Sequence, residues 1–127
     1  MNTEKVIFAF FIVLALTLNF GFFLGDMTSP NHHNVYELFA AIVVSLIATV
    51  MKLGDRTHMG AVFLATSLVA DLQLIIASVI WGYAVNVSDL GMDETAIASI
   101  VSLSGGALLA NILSAILLAV ETVMIRR

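Results

Sequence analysis

Four long runs of apolar residues, separated by short polar stretches, dominate the pattern along the chain. The runs cover roughly residues 6–24, 36–53, 61–83 and 95–125. A helix that crosses the hydrocarbon layer of a bilayer needs about 20 apolar residues, and each run meets or nearly meets that length. The pattern predicts an all-α membrane protein with four transmembrane helices, which form a single domain over residues 1–127.

The first run raises the alternative of a secretory signal peptide. A signal peptide begins with a positively charged segment and has a shorter apolar core that ends at a small-residue cleavage site. Here a single lysine, Lys5, stands beside an acidic neighbour, Glu4, and no clean cleavage site follows the run. We therefore expect the first helix to be retained.

The basic residues fall on one side of a four-helix arrangement. Lys5 precedes the first helix, Lys52 and Arg56 flank the turn between the second and third, and Arg126 and Arg127 follow the fourth. Because cytoplasmic loops carry an excess of Lys and Arg, this distribution predicts that the N- and C-termini are both cytoplasmic. We expect a multi-pass protein of a bacterial-type inner (cell) membrane.

The opposite side of the arrangement carries acidic residues and aromatic residues. Aromatic side chains often form a belt at the membrane surface. We expect Tyr36, Trp81 and Tyr83 to do so. The outer loops carry acidic residues and no basic residue. We predict that these acidic residues form a mouth that raises the local concentration of cations. Its residues are Glu37, Asp89, Asp93 and Glu94. The alternative is a solvated loop that follows the same charge asymmetry.

Composition narrows the function classes. The chain is 61% hydrophobic and 11% charged, which leaves little outside the lipid for a soluble catalytic domain. It has no cysteine, so disulfides and thiolate metal sites are excluded. Phosphate-binding, metalloprotease, serine-hydrolase and potassium-filter motifs are also missing from the sequence. We expect no enzyme activity, no cofactor and no nucleic-acid partner.

Adjacent histidines at positions 32 and 33 are the one metal-like feature of the sequence. Asp26 and Glu37 could assist them. Two neighbouring histidines rarely chelate one ion alone, so we predict no metal site.

An aspartate, Asp71, lies near the middle of the third apolar run, in the sequence SLVADLQLII. A carboxylate at that depth costs about 2.5–3.5 kcal/mol on insertion scales, so it should face protein or water. Ser67 shares its helical face, and Asn111 and Ser45 lie at similar depth in neighbouring helices. These four residues form the predicted ion-binding pathway.

Three interpretations of Asp71 remain open. It lies on an ion or proton path, or it is a buried structural group bonded to Asn111 and serines, or it contacts a charged residue of another protein. No basic residue of the chain lies at its depth, which favours a bound cation or proton over an internal salt bridge.

Small residues recur at every fourth position of the fourth helix, a spacing that lets helix backbones approach closely. The stripe comprises Ala98, Ser102, Gly106, Ala110 and Ser114. We interpret it as a helix-packing face; the alternative is a pore-lining face with hydroxyls turned to water. Because a 127-residue bundle has little interior of its own, we also expect a homo-oligomer.

A weak internal similarity suggests two tandem helical hairpins. Residues 37–46 and 94–103 share Glu, Ala, Val, Ser and Leu at equal spacing. Chance matches are common in sequences this apolar, so both interpretations stay open.

The leading functional hypothesis is a small oligomeric cation channel or transporter that uses the intramembrane aspartate, with an inorganic cation or proton as its ligand and the lipid bilayer as its environment. The alternative is a structural or accessory subunit of a larger membrane complex.

Overall fold

The computed structural model describes residues 3–24, 33–55, 57–87, 89 and 91–125, without the side chain of Ile125. These residues form four helices, each long and apolar enough to cross a membrane, and no strand occurs among them. The prediction of an all-α fold with four transmembrane helices is confirmed. The helices are α1 (Thr3–Phe23), α2 (Val35–Lys52), α3 (His58–Asn86) and α4 (Glu94–Ile125).

Polar side chains bind free backbone N–H groups where the last three helices begin. Asn34 Oδ1 accepts a hydrogen bond from Tyr36 N at 2.8 Å, Thr57 Oγ1 from Gly60 N at 2.9 Å, and Asp93 Oδ1 from Ala96 N at 2.8 Å. Such caps satisfy donors that have no partner within the helix. The cap at Thr57 starts α3 at His58, earlier than the apolar run from residue 61 predicts.

The four helices form a closed ring in which consecutive helices pack together and α1 packs against α4. Because consecutive helices run in opposite directions, the start of α1 and the end of α4 share one end of the bundle. We call this the basic end, since Lys5 and Lys52 lie there. The other, acidic end holds Glu37 and Glu94. Three residues used in the sidedness prediction, Arg56, Arg126 and Arg127, lie outside the described residues.

Two apolar clusters fill the interior. The basic-end cluster comprises Phe8, Ile12, Ala48 and Phe63, and the rings of Phe8 and Phe63 meet edge to face with centroids 5.2 Å apart. The acidic-end cluster is larger and contains Phe22, Leu38, Ala41, Ala70, Leu74, Ala77, Ile100, Ala107 and Ala110.

The outer surface of the bundle is apolar as well. Val50, Val79 and Leu109, for example, are exposed by 64%, 64% and 69%. In lipid, burial of apolar surface gives no driving force between helices, so close packing and polar contacts must select how each helix is rotated.

Close packing is most evident at the paired glycines of α4. A Cβ atom added at Gly105 would lie 2.8 Å from a ring carbon of Phe23 on α1, and one added at Gly106 would lie 2.6 Å from the amide nitrogen of Gln73 on α3. The middle of α4 therefore receives side chains from both neighbouring helices. Gln73 Oε1 is also the one buried side-chain oxygen or nitrogen that has no hydrogen-bond partner among the described residues.

The change Gly105→Ala should destabilise the bundle by about 1–3 kcal/mol, because the added methyl group overpacks the contact with Phe23. Gly82→Ala is the matched control: it lies in α3, with no atom within 4 Å of its added Cβ, and should be neutral or stabilising. Thermal unfolding in detergent measures both variants. Equal shifts in Tm would contradict the proposed tight contact.

The turn between α2 and α3 is held by Asp55. Its Oδ1 accepts hydrogen bonds from the hydroxyl and the backbone N–H of Thr57 at 2.7 and 2.9 Å, and Lys52 Nζ lies 3.4 Å from Oδ2. The Thr57 hydroxyl, then its N–H, and more weakly Lys52 hold the pKa of Asp55 below its ordinary value.

Since the pKa of Asp55 is lower in the folded state, its ionised form favours folding above the unfolded pKa, and this contribution is lost as the pH falls through the folded pKa. Thr57→Val should move the Asp55 titration measured by NMR upward, because it removes the largest cause. Thr122→Val is the control, since that hydroxyl bonds Leu118 O on its own helix. An unchanged Asp55 titration in Thr57→Val would refute the assignment.

Candidate functional site

Asp71 lies on the face of α3 that meets α2, and it is 4% exposed. Ser45 Oγ donates to its Oδ1 at 2.6 Å, and Thr49 Oγ1 donates to its Oδ2 at 2.5 Å. Ser45 and Thr49 are four residues apart, so α2 presents both hydroxyls on one face. The two carboxylate oxygens are thus each bonded to α2.

Thr49 is the partner that the sequence-based prediction of the site lacks. The signal was available: Thr49 follows Ser45 by one helical turn and therefore lies on the same face. Its hydroxyl also lies 2.9 Å from the carbonyl oxygen of Ser45. The structure brings Ser45 to Asp71, as the matching depth of the two residues predicts.

Asp71 has no ion-pair partner in the part of the chain that the structure describes. The two salt bridges found there join Lys5 to Glu121 and Lys52 to Asp55, at the basic end. The site is therefore one carboxylate with two neutral hydroxyl donors, and its charge is not balanced by a described side chain.

Ser67 and Asn111, the other predicted pathway residues, are both 3% exposed. Ser67 lies one turn from Asp71 on α3. Asn111 lies on α4, and its amide contacts Asn19 of α1. Similar depth therefore does not bring every polar residue of the interior to Asp71.

Asn19 forms a second polar centre, between α1 and α4. With its amide oriented to satisfy both ends, Nδ2 donates to Ser104 Oγ at 2.6 Å and to Ser104 O at 3.2 Å. Its Oδ1 accepts from Asn111 Nδ2 at 3.2 Å and from Leu108 N at 3.0 Å. In an ideal helix Leu108 N donates a hydrogen bond to Ser104 O. The Asn19 side chain therefore bonds both the donor and the acceptor of one backbone hydrogen-bond position of α4.

A third polar contact joins α3 to α4, where the hydroxyls of Thr66 and Ser114 lie 2.6 Å apart. Together, the buried polar side chains of the three contacts and Ser67 make up what we call the polar belt. Its residues are Asn19, Ser45, Thr49, Thr66, Ser67, Asp71, Ser104, Asn111 and Ser114.

The polar belt overlaps the inner parts of the two apolar clusters, and their outer parts flank it on both sides. Along α2, Leu38 and Ala41 of the acidic-end cluster come before Ser45 and Thr49. Along α3, Phe63 of the basic-end cluster comes before the belt residues. Apolar side chains therefore separate Asp71 from both ends of the bundle, and the structure is closed around it.

The four residues of the predicted acidic mouth have different environments. Glu37 is partly buried, with its carboxylate packed against Gly21 of α1. Asp93 caps α4, whereas Asp89 and Glu94 are exposed.

The aromatic residues and His33 lie near the same end. Tyr36 and Tyr83 are exposed, and Trp81 packs against Phe22. His33 is buried, and its Nδ1 contacts Phe22 O at 2.5 Å. His32 and Asp26 lie outside the described residues.

The small-residue stripe of α4 changes its environment along the helix. Ser114 and Ala110 are buried, and Gly106 receives Gln73. Ala98 and Ser102 instead line a shallow groove on the outer surface. The two serines that match in the proposed repeat also differ in environment. Ser45 is buried against Asp71, whereas Ser102 is exposed.

Comparison with known protein families gives a match over most of the chain. The model of the Family of unknown function (DUF6394) matches residues 32–122. The matched segment contains Ser45, Thr49 and Asp71. No curated protein and no solved structure matches the chain.

The change Ser45→Ala should destabilise the bundle by about 1–3 kcal/mol, because it leaves a buried carboxylate oxygen without its donor. The control Ser78→Ala should have little effect, since that hydroxyl bonds Ile75 O on its own helix. Unfolding in detergent measures both changes. In an Asp71→Leu background Ser45→Ala should become nearly neutral; an undiminished effect there would show that Ser45 acts through other contacts.

Proposed function

Since the chain belongs to DUF6394, a family whose description assigns no function, we propose a function from the site itself: the protein moves a small inorganic cation or a proton across the membrane through the Asp71 site. The observation that carries the proposal is a buried carboxylate whose described partners, Ser45 and Thr49, are both neutral.

The charge of Asp71 supports this choice. An ionisable residue within a transmembrane helix is expensive, and such residues commonly mark ion or proton pathways. An unbalanced carboxylate attracts a cation or a proton, and the hydroxyl oxygens beside it are suitable ligands for a hard cation.

The location of the site favours a pathway within one chain. Asp71 lies between α2 and α3 of the same bundle, so a ligand would pass through the interior rather than along an axis between subunits. Homo-oligomer formation stays a prediction, and the site does not depend on it.

The closed interior supports transport by alternating exposure rather than a permanently open pore. The outer parts of the apolar clusters lie on both sides of the polar belt, so we expect ion passage to require rearrangement of the helices. Rocking of one helix pair against the other around a fixed central site is a common way to open each side in turn.

We further propose the sidedness that the charge pattern predicts, with the basic end in the cytoplasm. The exposed carboxylates Asp89 and Glu94 at the acidic end would then attract cations from outside.

A second candidate function is favoured by one observation. Thr95, Ser99 and Ser102 are exposed on the outer face of α4, and with Glu94 they line a groove there. Hydroxyls on a lipid-facing surface are typical of helix–helix contacts. In this interpretation the protein is an accessory subunit, and the bond between Asp71 and α2 only stabilises its fold.

Flux measurements on purified protein in liposomes separate the two functions. With proton, sodium and potassium gradients imposed in turn, we expect uptake by the wild type for at least one ion and a loss of about tenfold or more in Asp71→Asn, which removes the charge. Asp89→Asn is the matched control: that carboxylate is exposed in a turn and only raises the local cation concentration, so its removal should lower flux far less than Asp71→Asn. Folded wild-type protein without flux in any gradient would refute transport.

A further inference from the structure

A cleft of about 540 Å³ opens at the basic end of the bundle, beneath the Phe8–Phe63 pair. Charged side chains of both signs surround it. The lining residues are Glu4, Lys5, Phe8, Met51, Lys52, Asp55, Thr57 and Glu121.

Lys52 turns inward from this cleft, and its side chain is only 14% exposed. Its ammonium group lies 4.3 Å from the ring centroid of Phe8 and 5.3 Å from that of Phe63. Asp55 Oδ2 lies 3.4 Å away. Two aromatic faces and a carboxylate make a favourable environment for a cation, and here the chain fills it with its own lysine.

Lys52 lies close along the chain to a residue that bonds Asp71. It follows Thr49, a hydrogen-bond donor to Asp71, by three residues on α2. Phe63, under the ammonium group, precedes Asp71 by eight residues on α3, or about 12 Å of helix. A cation that enters from the cleft toward Asp71 therefore meets Lys52 and the two rings first.

We propose that Lys52 is a tethered cation that closes the basic-end entrance to the Asp71 site, a role that rests on the proposed transport function. While its ammonium group occupies the rings, it excludes water and repels any mobile cation of the same sign. Movement of the Lys52 ammonium group away from the rings and out into the cleft opens the route.

The second described lysine is a natural comparison. Lys5 lies on the wall of the same cleft, paired with Glu121 at 3.2 Å, but its side chain is 39% exposed. It has the same charge at the same end of the bundle, but it is paired with a carboxylate on α4 and its side chain is more exposed than that of Lys52. Removal of Lys5 should therefore leave the entrance closed.

Access to the interior can be measured without transport. Because the chain has no cysteine, Ser67→Cys places one thiol in the polar belt, one turn from Asp71. We would measure its rate of reaction with a small cationic methanethiosulfonate added at the basic end of oriented vesicles. Reaction should be slow in this parent and faster by roughly tenfold with Lys52→Met, the scale set by loss of a desolvated cation–π contact.

Two control variants and a stability measurement make the experiment decisive. Lys52→Arg should keep the reaction slow, since it retains the cation, and Lys5→Met should match the parent. An unchanged rate in Lys52→Met, or equal acceleration in Lys5→Met, would overturn the proposal. Thermal unfolding of each variant, checked alongside, must match the parent, and an acceleration that follows loss of stability instead of loss of the cation also counts against it.

The same variants keep the two proposals apart. If Lys52→Met opens the interior and raises a flux that Asp71→Asn abolishes, both proposals are supported. If the thiol becomes accessible but no flux depends on Asp71, the transport function fails while Lys52 still closes the interior. If flux depends on Asp71 but access does not change, only the role of Lys52 fails.

Discussion

A carboxylate among apolar side chains must be given hydrogen-bond donors, and this requirement fixes how α2 and α3 face each other. Ser45 and Thr49 can reach Asp71 only if one face of α2 is turned toward α3. Lipid and core are both apolar, so apolar burial would tolerate other rotations. The polar contacts remove that freedom, and the apolar clusters then pack around the orientation they select.

The same logic extends around the ring of helices. Asn19 connects α1 to α4, and Thr66 with Ser114 connects α3 to α4. Each contact satisfies polar groups that would be costly to leave unpaired in hydrocarbon. Small residues in α4 complement them, because Gly105 and Gly106 admit side chains from both neighbours. Helix orientation thus follows from a few polar side chains at mid-depth and from the glycines between them.

The dependence of helix orientation on a few residues also explains how much of the structure the sequence could predict. Lipid allows only fully hydrogen-bonded segments, so apolar runs of sufficient length predict the four helices directly. Depth follows from counting residues along a helix, and it correctly brings Ser45 near Asp71. Rotation follows less directly, because most of the circumference of each helix is apolar; Asn111 matches Asp71 in depth yet lies against Asn19. Thr49 needed only the spacing of one helical turn from Ser45, whereas the Lys52 contacts depend on tertiary packing.

Thr49 has one hydroxyl hydrogen but two acceptors within reach, Asp71 Oδ2 and the carbonyl oxygen of Ser45. A single hydrogen cannot serve both fully. If Asp71 binds a proton or a metal cation, as we propose, the hydrogen of Thr49 is free to bond the Ser45 carbonyl oxygen, and bonds of that kind tend to bend a helix. In that mechanism the Thr49 hydroxyl would convert the occupancy of Asp71 into a change in the curvature of α2.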